Sequence, residues 1–87
     1  MIDLVTIQDV KLQLGELCKQ KRQIYEMSQQ DLAEALELSR YTIQKFENGK
    51  NATLDTVLKI VNHFDLLEKL YQVLKNLENT NDMNSLY

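Results

Sequence analysis

Gln29-Gln30-Asp31-Leu32-Ala33-Glu34-Ala35-Leu36, then Glu37-Leu38-Ser39, then Arg40-Tyr41-Thr42-Ile43-Gln44-Lys45-Phe46-Glu47-Asn48, is the stretch whose spacing decides the fold. Leu32, Ala33 and Leu36 recur at helical intervals and give the first segment one apolar face. Ser28 stands where a helix N-cap belongs, with Asp31 three residues on to complete a capping box. Ser39 can cap a second helix from Arg40 to Glu47, whose Ile43 and Phe46 share one face. Asn48-Gly49 stops it, because these residues readily take the left-handed conformation of a helix end. Two short helices joined this tightly pack either as a plain helical hairpin or at a steep crossing, and a steep crossing admits only small or apolar side chains at fixed offsets. Ala33 stands where a larger residue would push the second helix away, and Leu38 plugs the turn.

Outward from this pair the chain reads as helices throughout. With no proline, two glycines (Gly15 and Gly49) and 44% apolar residues, the composition favours helices joined by short loops over sheet folds. A first helix is expected from Ile7 to Arg22, capped by Thr6 with Asp9 and striped by Val10, Leu14, Leu17 and Cys18. Thr53 opens a fourth helix with the stripe Leu54, Val57, Leu58, Val61 and Phe64. A break near Asp65 leads to a fifth, from Leu66 to Leu77. The expectation is an all-α domain over residues 1–77 with its central helix pair at 28–48. Residues 78–87 form a polar, asparagine-rich tail.

Composition also narrows the function. Cys18 is the only cysteine and His63 the only histidine, so a structural zinc is not expected and no metal or other cofactor is. No nucleophile, base and orienting group occur together, so the chain does not read as an enzyme. His63, near the end of the fourth helix, suits the negative end of the helix dipole. The N-terminus lacks the basic and apolar regions of a signal peptide. No apolar run approaches the roughly 20 residues of a membrane span, which makes the expectation a cytoplasmic protein. The net charge is −3, from 13 acidic and 10 basic residues, yet the charges are partly segregated. Lys19, Lys21 and Arg22 cluster, as do Arg40, Lys45 and Lys50, whereas Asp31, Glu34, Glu37 and the C-terminal third carry acids. A locally positive face on an acidic protein suits specific DNA binding with weak non-specific affinity.

The segments Ser28 to Leu36, Leu38-Ser39-Arg40 and Ile43 to Lys50 resemble the phage repressor and Cro-type helix-turn-helix family, the XRE-like regulators. The resemblance extends back through Leu14-Gly15-Glu16-Leu17 to Arg22 and forward through the fourth helix, covering about residues 12–70. It implies a five-helix, lambda-repressor-like DNA-binding domain, commonly dimeric on palindromic operators. It also implies an ion pair between Arg22 and Glu47, which match family positions tying the first helix to the end of the third. Two positions depart from the family. Glu37 replaces a glycine common in the turn, and Glu26 one common before the second helix. Glu37 must then accept a left-handed conformation at about 1 kcal/mol.

A helix-turn-helix lays its second helix in the major groove of double-stranded DNA. The face opposite Ile43 and Phe46 then carries Arg40, Tyr41, Gln44 and Lys45 as base-contacting residues. Arg40 and Lys45 can donate to guanine, Gln44 can pair with adenine, and Tyr41 can pack on a thymine methyl. Ser28, Gln29, Thr42, Asn48 and Lys50 are the phosphate-contacting candidates, Gln29 because it opens a helix whose dipole attracts anions. In the fifth helix, Leu66, Leu70, Val73 and Leu77 form one apolar stripe, and Leu67, Tyr71 and Leu74 a second. A domain this small can cover one of them. The other points to a homodimer through Leu67, Leu70, Tyr71 and Leu74, joined by the Ile2-Leu4-Val5 segment. The expected function is a transcriptional repressor acting on a palindromic operator. The alternative is an antitoxin that represses its own operon and also binds a protein toxin, given the small size, acidic balance and polar tail. A pure interaction module is a third reading, opposed by the cationic outer face of the third helix.

Overall fold

The computed structural model describes residues 4–79, and all its regular structure is helical. Five helices follow in order: α1 (Ile7–Ile24), α2 (Gln29–Leu36), α3 (Arg40–Glu47), α4 (Leu54–His63) and α5 (Leu67–Asn79). Ile2 and the tail beyond Asn79 lie outside the described residues.

Side-chain caps start four of the helices. Thr6 Oγ1 accepts from the Asp9 N–H at 3.0 Å while Asp9 accepts from the Thr6 N–H at 2.9 Å, closing a capping box on α1. Ser28 and Asp31 do the same for α2. Ser39 caps α3 and Thr53 caps α4, each accepting an N–H three residues on.

The helix ends repeat one device. After α1, α2, α3 and α4 a residue takes positive φ: Glu26 at 56°, Glu37 at 57°, Gly49 at 75° and Asp65 at 60°. The next N–H then reaches back five residues. Met27 donates to Arg22 O, Leu38 to Ala33 O, Lys50 to Lys45 O and Leu66 to Val61 O, all at 2.8–3.0 Å. Three of the four left-handed residues are acids, which also face the negative end of a helix dipole. Left-handed backbone costs a non-glycine residue about 1–2 kcal/mol. Met27, Leu38 and Leu66, the residues that follow the acids, pack against the core. Burying side chains of this size contributes up to about 1.5–3 kcal/mol each, so the packing offsets the strain.

The core is a single cluster of Cys18, Leu32, Ala33, Ile43, Phe46, Ile60 and Phe64, each 4% exposed or less. The inner face of the central pair is therefore as the sequence places it, with Leu36 and Leu38 partly buried beside it. Elsewhere the packing differs. Val10 and Leu54 are 49% and 72% exposed, and Ile60 takes the core position on α4. Phe64 and Ile60 lie one turn apart and face Phe46, Cys18 and Leu17 around one small apolar gap. That contact turns the buried face of α4 toward Thr56, Ile60 and Val61, with Val57 beside the core, and leaves Leu54 exposed. The α1 helix runs two residues past Arg22, and α5 starts at Leu67 and ends at Asn79.

No residue of α5 is buried. The helix leans on α4, and Leu66, just before it, reaches the core. Leu67, Tyr71, Val73, Leu74 and Leu77 are 39–69% exposed, so both apolar stripes of α5 stay largely open among the described residues, with Leu70 half-buried. Among the described residues, no helix is long and apolar enough to cross a membrane.

Candidate nucleic-acid interface

With Ile43 and Phe46 in the core, the period of α3 turns Arg40, Tyr41 and Gln44 to solvent. Lys45 is half-buried, and its ammonium lies 5.2 Å from the centre of the Tyr41 ring. This cation–π contact fixes the two side chains relative to each other. Tyr41, Gln44, Lys45, Asn48, Gly49 and Lys50 line one open cleft together with Gln8 and Asn51. The structure thus brings three base-contacting candidates and two phosphate-contacting candidates together. Arg40 stands outside this cleft, on the first turn of α3.

The other phosphate candidates have prior engagements. The Ser28 hydroxyl caps α2. The Thr42 hydroxyl lies 2.8 Å from Ser39 Oγ, in the cap of α3. Gln29 Nε2 donates to Glu47 Oε1 at 3.0 Å, so this side chain turns inward. A phosphate contact from Gln29 therefore falls to its backbone N–H in the first turn of α2.

Glu47 is the hub that holds α3 in place. Arg22 Nε donates to its Oε2 at 2.7 Å and Arg22 Nη2 to its Oε1 at 2.9 Å, a bidentate pair. Arg22 Nη1 also donates to Met27 O at 2.9 Å, and the Cys18 thiol donates to Glu47 Oε2 at 3.4 Å. The end of α3 is thereby tied to α1, to the α1–α2 loop and to the start of α2. The paired side chains are 12% and 4% exposed. Burial pushes the Glu47 carboxyl upward, but hydrogen bonds from Arg22 and Gln29 and the Arg22 charge outweigh it and hold it below its ordinary 4.5. Burial, with the Glu47 charge beside it, pushes the Cys18 thiol up to about 12, so it serves as a neutral donor.

A helix-turn-helix family model matches residues 19–71, more than half of the chain. The chain belongs to the XRE-like helix-turn-helix family. Over 51 residues it is 41% identical to a protein of Methanoculleus marisnigri described as an HTH-type transcriptional regulatory protein. The alignment covers 59% of this chain and 17% of that relative, so the chain spans about a sixth of the relative's length.

Two parts of this helix-turn-helix protein escape a reading of the sequence. Gln8, Lys11 and Asn51 border the cleft from outside the central helix pair. Gly15 is where α1 crosses the end of α3: a Cβ there would stand 2.5 Å from Glu47 O and 2.7 Å from Phe46 O. The available signal was a glycine in mid-helix, where it otherwise costs about 1 kcal/mol.

Proposed function

We propose that this protein binds a short double-stranded DNA operator through α3 and acts as a transcriptional repressor. The observation that supports this reading best is the outer face of α3. Its exposed Arg40, Tyr41 and Gln44, with Lys45, combine a guanidinium, a phenol ring, an amide and an ammonium on one helix of the size that enters a major groove. Ser28, Gln29, Thr42, Asn48 and Lys50 flank it as candidates for the phosphates. Arg40 would read guanine. Arg40→Ala should leave the fold intact and reduce the preference for operator over random duplex about ten- to a hundredfold. The test is to select bound sequences from a random pool and then compete selected against random DNA. An Arg40→Ala protein with unchanged preference contradicts the reading.

The proposed assembly is a homodimer with α5 as its seam. Leu67, Leu70, Leu74 and Leu77 repeat at intervals of three, four and three, the spacing of a coiled-coil a/d seam. A stable dimer buries roughly 800 Å² per partner. Five or six side chains of this size supply about 60–120 Å² each, which falls short of it. The exposed Leu4 and Val5, just before α1, and Val10 in its first turn would add the remainder. They connect to α5 through Leu14 and Leu17, which border both the groove beside Val5 and Val10 and the gap lined by Leu66. Two copies would match a palindromic operator with half-sites about 34 Å apart. Sedimentation should show a dimer at tens of micromolar; a monomer with and without operator contradicts this assembly. The antitoxin alternative rests on small size, acidic balance and the polar tail, most of which lies outside the described residues, and no observation of the structure favours it.

A further inference from the structure

The first twelve residues of α1, 7–18, precede the segment matched by the family. They are fastened to the loop between α3 and α4. Gln8 Nε2 donates to Gly49 O at 3.0 Å, and Lys11 Nζ donates to Asn51 Oδ1. Leu12 closes behind Gly49, where an added Cβ would meet its Cδ2 at 2.6 Å. Gly49 and Asn51 line the cleft beside α3, as does Gln8, so this stretch of α1 forms one wall of it.

The electrostatics of the cleft are one-sided. Lys45 and Lys50 line it, Lys11 is bonded to its rim, and no acid lines it. None of these lysines is in an ion pair among the described residues, whereas Arg22, Lys59 and Lys75 are. An ammonium has three donors, and Asn51 occupies one on Lys11. The other two are available to an anion.

We infer that the extended start of α1 is a second DNA-backbone contact, in which Lys11 binds a phosphate at the edge of the groove occupied by α3. Gln8 and Asn51 are positioning residues that hold the helix and loop together. The inference rests on the DNA-binding reading above and adds to it a contact from outside the family segment.

The test uses the full chain with Lys11→Gln, which removes the charge while keeping an amide donor for Asn51. Binding is titrated between 50 and 200 mM salt on selected operator and on random duplex, about the range over which phosphate contacts are read. The expected result is a loss of about five- to tenfold at ~0.1 M salt on both DNAs. The operator-to-random ratio should stay unchanged, and the slope of log affinity against log salt should fall by about 0.9. An unchanged slope, with or without an affinity loss, overturns the inference, because a purely structural role would not alter counterion release. Arg40→Ala measured alongside separates the two claims. If it loses the operator preference while Lys11→Gln keeps the wild-type slope, the inference fails and the DNA-binding reading stands. Absence of any DNA binding by the wild-type chain overturns both.

Discussion

Replacing Arg22 by alanine should cost about 3–5 kcal/mol, because it strands the Glu47 carboxylate, 4% exposed, without its counter-charge. At roughly 0.05–0.15 kcal/mol per residue, that is about a quarter or more of what a chain of this length possesses. The urea midpoint should fall by about 1 M or more. The loss should depend on pH in a definite sense. The depressed Glu47 titration stabilises the wild type fully above 4.5, and this contribution disappears as pH falls through the lower folded value. In Arg22→Ala the hydrogen bonds and charge of Arg22 no longer oppose burial, so the carboxyl moves up from its wild-type position and acid weakens the mutant less than the wild type. The gap between the two proteins should be widest near pH 7 and close toward pH 3. A pH-independent gap would mean that Arg22 acts through packing alone. Removing both charges together, as in Arg22→Met with Glu47→Leu, should recover much of the loss.

The second large effect has the opposite sign from the one helix propensity gives. Alanine in place of a mid-helix glycine ordinarily adds about 1 kcal/mol. At Gly15 the new Cβ meets two backbone carbonyls of α3, and backbone cannot rotate away as a side chain can. The helices must separate, which stretches the Arg22–Glu47 pair and the bonds from Gln8 and Lys11 to the following loop. Overpacking of this kind costs about 3 kcal/mol or more, for a net loss of at least 2. A melting temperature lower by about 10 °C or more is expected for a domain this small. A melting temperature equal to or above that of the wild type would show that α1 and α3 have room to spare.

These two residues also mark how far the sequence can be read. The period of Leu32, Ala33, Leu36, Ile43 and Phe46 is local, and it placed the central pair and its outer face. Gly15 is ambiguous in one dimension, since nothing nearby announces that carbonyls from residues 46 and 47 will lie against it. The helix terminus at Gln29 is legible locally, but its side chain is captured by Glu47, eighteen residues away. Gln8 and Lys11 find partners about forty residues on, through contacts that no window of sequence contains. On α4 the periodicity was real but its direction was not fixed, because Leu54 and Ile60 differ only in what faces them. The two stripes of α5 are legible as pattern, whereas the openness of both among the described residues depends on how α5 leans on α4.

The acidic residues in left-handed backbone at Glu26, Glu37 and Asp65 bear on how the chain reaches its fold. Each turn is unfavourable by itself and becomes favourable only when Met27, Leu38 or Leu66 has found the core. An eight-residue helix such as α2 is also too short to persist alone. Neither the turns nor the short helices can therefore assemble ahead of the packing, and each depends on the others being present. The central pair is then not a preformed hairpin carried on a scaffold. It exists only while the whole core does, so loss of any wall of that core removes the outer face of α3 with it.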